Sequence, residues 1–83
     1  MSDLYGDIDE FVRCLRRSGL KTLPQSLEDA VLYGATSGEI LTNVARLLDR
    51  TRRGGSSLPE ELAVQRDDIL DRTTRALRDV GQR

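Results

Sequence analysis

One stretch of the chain specifies a helix by both its start and its apolar face. Thr36 followed three residues later by Glu39 is a capping box, a pattern that begins an α-helix. Apolar residues then recur at the i, i+3, i+4 spacing of one helix face. They are Ile40, Leu41, Val44, Leu47 and Leu48. Because such a face is stable only when covered, the fold must supply partners for a helix over residues 37–52.

A first helix is predicted upstream by the same spacing. It should run from about Asp7, or one turn earlier, to Ser18. Gly19 is placed to end it in the left-handed conformation, with Leu20 packing back on Leu15 in a Schellman motif. The apolar face of this helix comprises Leu4, Ile8, Phe11, Val12 and Leu15.

A second helix should lie between this glycine and Gly34. Its start has two interpretations. Either Thr22 caps the helix together with Gln25, or Pro24 is the first helical residue, because a residue before proline avoids the helical region. The apolar face comprises Leu23, Leu27, Ala30 and Val31.

A fourth and longest helix is predicted to begin near Leu58 or Pro59 and to continue to Val80. Residues 54–57, a glycine–serine run, form the linker before it. The apolar face comprises Leu58, Leu62, Ile69, Leu70, Ala76, Leu77 and Val80.

These elements define an all-α fold, a small bundle of three short helices plus one long C-terminal amphipathic helix. With 83 residues the chain has room for one domain, a cluster over 1–53 joined by the linker to 58–83. The last helix would span roughly 35 Å, against about 15–20 Å for each of the first two. We therefore expect its apolar face to extend beyond the cluster and to require another partner, unless its last turns fray.

Charge and cysteine content limit the possible environments. The chain has 13 basic and 14 acidic residues, without the basic excess typical of a general nucleic-acid binder. Its one cysteine, Cys14, cannot form an intramolecular disulfide, and we interpret it as a half-buried structural thiol. The acidic N-terminus has no apolar run resembling a signal peptide. These features favour a cytoplasmic protein that does not interact with membranes.

The residues do not indicate catalysis. The chain contains no histidine, the usual general base and the commonest metal ligand. Adjacent carboxylates, such as Glu60 and Glu61, point about 100° apart on a helix and do not converge on one proton or metal. We expect no enzyme activity, no small-molecule substrate, no cofactor and no metal.

The segment from Leu27 to Ile40 resembles a helix-turn-helix motif in layout. Ala30 precedes the turn glycine Gly34 by four positions, and Thr36 could cap the second helix. The resemblance implies a DNA-binding transcriptional regulator using residues 27–48. Its reading residues would be Ser37, Thr42, Asn43, Arg46 and Arg50. Phosphate contacts supply most of the affinity of such modules, and this face offers few cations besides the basic cluster at the helix end.

The favoured hypothesis is a small non-enzymatic protein-protein interaction module. It would be a regulatory, antitoxin-like or immunity-like factor, or a protein that self-associates through its long C-terminal helix. Its partner would be another protein or a second copy of itself. The predicted contact residues are Leu32, Tyr33, Arg66, Leu70, Leu77 and Val80. Two alternatives remain open: Leu32 packs against the last helix, and Arg66 extends its charged end to water.

Polar residues also interrupt the apolar face of the last helix. Arg66 and Thr73 fall near its middle. Polar residues at such positions often set register or partner choice, which adds to the interaction hypothesis.

Overall fold

The computed structural model describes residues 3–54 and 58–81, with side chains up to Asp79. These residues form four α-helices, which confirms the all-α prediction with the longest helix last. They are α1 (Leu4–Arg17), α2 (Thr22–Tyr33), α3 (Ser37–Arg53) and α4 (Glu60–Gly81). The predicted linker lies outside the described residues except for Gly54. None of the four helices is long and apolar enough to cross a membrane.

The C-terminal end of α1 is the predicted Schellman motif. Gly19 has a φ of 89°, the left-handed conformation that glycine adopts without steric cost. Its N–H donates to the carbonyl of Arg16 at 3.0 Å, and the N–H of Leu20 donates to the carbonyl of Leu15 at 3.1 Å. The start of α1 at Leu4 is the earlier of the two predicted boundaries.

Both interpretations of the start of α2 are wrong. The helix begins at Thr22, and the side chain of Gln25 donates to Asp29 at 3.0 Å instead of turning back to a cap. Pro24 is therefore the third helical residue. Proline is tolerated there because the first N–H groups of a helix have no intrahelical acceptor, and its ring lies buried in the core.

The corner between α2 and α3 depends on a glycine and a cap. Thr36 accepts a hydrogen bond from the N–H of Glu39 at 3.1 Å, as the capping box predicts. The carboxylate of Glu39 reaches the N–H of Ala35, one residue before the cap, at 3.4 Å. A Cβ on Gly34 would lie 2.2 Å from Cγ1 of Ile40. Only glycine allows the two helices to approach this closely.

The four helices form a closed ring of neighbours. α1 packs against α2 and α4, and α3 packs against the same two helices. Among the described residues, no Cα atom of α1 lies within 8 Å of one in α3. The same holds for α2 and α4. α4 is therefore the fourth wall of one bundle and not an extension from a three-helix cluster.

All four helices contribute to one hydrophobic core. α1 provides four of its buried side chains and α4 provides three, while α2 and α3 complete it. The buried apolar members are Ile8, Phe11, Val12, Leu15, Leu27, Val44, Leu48, Leu62, Ile69 and Leu70. Each predicted apolar face thus turns inward, and the face of α4 is covered by α1 and α3 over most of its described length.

Candidate functional site

The predicted partner-binding residues lie on two separate helices. Leu32 and Tyr33 belong to the last turn of α2, whereas Arg66, Leu70 and Leu77 lie on α4. Within the described ranges no Cα atom of α2 lies within 8 Å of one in α4. The predicted set therefore does not form one continuous surface, and each half must be considered by itself.

The described α4 members of the set are largely enclosed. Leu70 is a buried core residue, and Leu77 is half-buried. The side chain of Arg66 is only 11% exposed, and its Nε donates to Asp67 at 3.1 Å. The side chain of Val80 lies outside the described residues. Up to Asp79, α4 thus lacks the long uncovered face that its length predicted, because it fills the gap between α1 and α3.

Thr73 interrupts the apolar face of α4 without requiring an external partner. Its side chain is fully buried, and its hydroxyl donates to the carbonyl of Ile69 at 2.6 Å, one turn earlier. Since a buried hydroxyl needs only one good acceptor, the helix itself satisfies it.

Leu32 and Tyr33 are the exposed apolar residues of the set. Leu32 is 65% exposed and Tyr33 80% exposed, immediately before the corner at Gly34. The interpretation that Leu32 packs against the last helix is wrong, because Leu32 is mostly exposed and, among the described residues, no Cα atom of α2 lies within 8 Å of one in α4. Both side chains protrude where a partner could cover them.

A groove runs beside these residues between α1 and α2. Its volume is about 360 Å³. Its apolar lining comprises Tyr5, Ile8, Val12, Leu27, Val31 and Leu32. Leu32 thus borders the groove, whereas its exposed neighbour Tyr33 is not one of the residues that line it. Sequence reasoning found the two protruding residues but missed the groove, because the groove requires the packing of α1 on α2.

The rim of this α1–α2 groove carries two ion pairs. Arg13 binds Asp9 at 2.5 Å within α1. Arg16 of α1 binds Glu28 of α2, which links the two walls. The four charges are therefore neutralised in pairs at the rim.

The predicted DNA-reading residues differ in their availability. Ser37, Arg46 and Arg50 are exposed, whereas Asn43 is half-buried. Thr42 is exposed, but its hydroxyl already donates to the carbonyl of Gly38 at 2.7 Å. The arginines are thus the members of this set best placed to contact a ligand.

A second groove separates the first half of α2 from the second half of α3. It has a volume of about 320 Å³. Its apolar lining comprises Leu20, Leu23, Leu47 and Leu58, all half-buried, and Arg50 stands at its edge. The sequence places Leu23, Leu47 and Leu58 on the apolar faces of their helices, and Leu20 was expected to pack back on Leu15. The position of the first three near the ends of those faces was the available signal that they would be only partly covered.

Cys14 is half-buried, as predicted, and its thiol lies 3.9 Å from a carboxylate oxygen of Glu10. It borders an open depression between the end of α1 and the start of α4, which also includes exposed Val64. In the described parts of the chain, no group of three or more possible ligands is arranged to hold a metal ion.

The α1–α4 contact includes a charged link. Arg72 binds Asp7 at 2.7 Å and Asp68 at 3.1 Å. The hydrogen bond to Asp7 is the main cause that raises the pKa of Arg72. Because the folded state holds the proton more tightly, the associated stability is present at neutral pH and is lost only in strongly alkaline solution.

Comparison with known proteins identifies no relative. No protein-family model, no curated protein and no solved structure matches this chain. Functional inference must therefore start from the two grooves and the charges beside them.

Proposed function

We propose that the chain is a small non-enzymatic protein-interaction module that pairs with a second copy of itself through the α1–α2 groove and the residues beside it. The observation that carries this proposal is the exposure of Leu32 at the edge of that groove, next in sequence to the exposed Tyr33. Large apolar side chains that protrude together beside an apolar recess are typical of interaction sites.

Self-pairing is favoured by the shape of this surface. A two-fold symmetric contact brings the same patch of both subunits together, so the patch must be complementary to itself. Here the exposed Leu32 lies at the edge of a recess, and the exposed Tyr33 follows it in the chain. Two copies related by a two-fold axis can each insert these side chains into the groove of the other.

The charges of the groove rim also favour a second copy of the chain as the partner. A two-fold contact places each charge near its own copy, which is unfavourable for a surface of one sign. The pairs Asp9–Arg13 and Arg16–Glu28 neutralise the rim within each subunit. Identical surfaces can therefore meet without net repulsion.

The proposal is tested by the molar mass in solution. Sedimentation of the wild type over a wide concentration range should give a monomer–dimer equilibrium. Leu32→Asp should weaken the dimer at least about tenfold, because a charge replaces a buried aliphatic contact. Val64→Asp is the matched control, since Val64 is a 63% exposed apolar residue on α4. Far-ultraviolet circular dichroism should show that both variants remain helical.

Two outcomes would reject self-pairing through the α1–α2 groove. One is a wild type that stays monomeric at every accessible concentration. The other is a dimer that Val64→Asp weakens as much as Leu32→Asp does. In the second case the interface would lie elsewhere on the molecule.

DNA binding through the α2–α3 corner is the second candidate function. The specific observation in its favour is the exposure of Arg46 and Arg50 on the outer side of α3. Binding of this kind should weaken steeply with salt concentration and on Arg46→Ala. A gel-shift assay at low salt that detects no complex with any DNA would reject DNA binding as the function.

A further inference from the structure

The second half of α3 concentrates positive charge in a chain that is otherwise slightly acidic. Residues 46–53 contain four arginines and one aspartate, a net charge of +3, whereas the whole chain has a net charge of −1. The balance of the remaining residues is therefore −4. A local excess of this size creates an attractive field for acidic ligands.

Three of these arginines lie on one face of the helix. Arg46, Arg50 and Arg53 are separated by four and three residues, the spacing that aligns side chains along an α-helix. All three are exposed. Arg53 binds Asp49 at 3.1 Å, but among the described residues Arg46 and Arg50 have no ion-pair partner. We call these three residues the arginine face.

Compensation of the helix dipole explains only part of this arrangement of arginines. Cations are favourable in the last turn of a helix because they compensate its negative dipole end, which accounts for Arg50 and Arg53. The effect decreases within one turn and does not extend to Arg46, seven residues before the end of α3. The position of Arg46 on the same face needs another reason.

The arginine face adjoins the groove between α2 and α3. Arg50 belongs to both, since it also stands at the edge of the apolar lining formed by Leu20, Leu23, Leu47 and Leu58. Apolar contacts and unpaired cations are therefore available side by side to one ligand.

We propose that this combined surface binds an acidic amphipathic segment of a partner protein. Its apolar side chains would occupy the α2–α3 groove, and its carboxylates would bind Arg46 and Arg50. Arginine suits this role because its planar guanidinium can donate two parallel hydrogen bonds to one carboxylate. This site is separate from the α1–α2 groove and goes beyond the proposed self-pairing.

A protein segment fits this surface better than a nucleic acid does. Phosphates could bind the arginines, but a nucleic-acid backbone offers no aliphatic side chain for the leucine-lined groove. The carboxylate of Asp49 already binds Arg53, which leaves Arg46 and Arg50 for the carboxylates of a peptide.

Selection from a random library of displayed 16-residue peptides tests the proposal. Peptides enriched on the full-length wild type should combine aspartate or glutamate with leucine or other large apolar residues. Binding of the best labelled peptide, followed by fluorescence polarisation, should weaken at least about tenfold in the Arg46→Gln/Arg50→Gln variant. The matched control is Arg75→Gln/Arg78→Gln, which removes the same charge from exposed positions of α4.

The outcomes separate this proposal from its alternatives. Enrichment of neutral or basic peptides, absence of any enrichment, or equal weakening by the control variant would overturn it. A labelled duplex DNA that binds in place of the peptides and is lost in Arg46→Gln/Arg50→Gln would assign the arginine face to nucleic acid. Repeating the assay with Leu32→Asp separates the two sites, since peptide binding should persist when self-pairing is lost.

Discussion

At the scale of single residues, Gly34 shows how one position determines a helix corner. Its φ of −70° is open to any amino acid, so conformational freedom does not explain the glycine. The reason is space, because a Cβ would lie 2.2 Å from Cγ1 of Ile40 and 3.0 Å from the carbonyl oxygen of Ala30. The carbonyl oxygen of Ala30 is a backbone atom, so a rotamer change of Ile40 alone cannot relieve both close contacts.

Gly34→Ala should therefore destabilise the protein. We expect the free energy of unfolding to fall by about 1–3 kcal/mol, the usual cost of overpacking, as measured by urea denaturation. Gly6→Ala is the control, because a Cβ there would meet only ordinary contacts with Asp3 and would improve helix propensity. If Gly34→Ala were as stable as the wild type, this result would contradict the close approach of α2 and α3 at this corner.

Local residue patterns predicted the fold best where the signal lies within a few residues. Thr36 with Glu39 began a helix, and Gly19 ended one, because each pattern satisfies terminal backbone groups by itself. Pro24 shows the limit of such signals. Its place as the third residue of α2 depends on burial of its ring in the core, which no pattern within residues 22–25 reveals.

At the scale of helices, periodicity predicted which face turns inward but not which helix covers it. Leu62, Ile69 and Leu70 form one face of α4 and are buried, as their spacing required. Burial of Leu70 within the single chain was not expected, because the sequence does not indicate that α1 and α3 stand apart and leave room for α4. For the same reason Leu70 could not be excluded from the predicted contact residues.

The ion pair between α1 and α4 should couple these helices measurably. Asp7 and Arg72 have side chains about one-third exposed, so a double-mutant cycle with alanine should give a coupling of about 0.5–1 kcal/mol in the free energy of unfolding. The buried Nε of Arg72, which has no partner among the described residues, limits the gain. The more exposed pair Asp71–Arg75 within α4 should couple more weakly. Equal coupling of the two pairs would contradict a structural role for the interhelical contact.

At the scale of the whole molecule, the two proposed surfaces occupy different sides of α2. The α1–α2 groove faces one neighbour of this helix, and the α2–α3 groove faces the other. Leu32 and Tyr33 were predicted as contact residues because they are apolar and lie off the core face of their helix. Arg46 and Arg50 were predicted only as DNA-reading residues, on the helix-turn-helix resemblance. The recesses beside them could not be predicted, since each is formed by residues that are distant in sequence and adjacent only after packing.

The ring of helices also predicts that no part of the bundle folds without α4. The first three helices were expected from sequence to form a cluster over 1–53, yet no described Cα atom of α1 lies within 8 Å of one in α3, and both helices pack on α4. A fragment of residues 1–54 would expose the core side chains that contact Leu62, Ile69 and Leu70.

Loss of α4 removes an amount of stabilisation comparable to the whole free energy of unfolding of a small domain. Burial of each of these three side chains contributes about 1.5–3 kcal/mol, whereas natural domains are stable by only about 5–15 kcal/mol. The fragment should therefore show reduced helicity, a poorly dispersed NMR spectrum and no cooperative thermal transition, while the full chain shows all features of a folded domain. A fragment with dispersed resonances and a sharp transition would support the self-contained three-helix cluster that was predicted from the sequence. α4 would then be free to leave the bundle and bind a partner through the face that now completes the core.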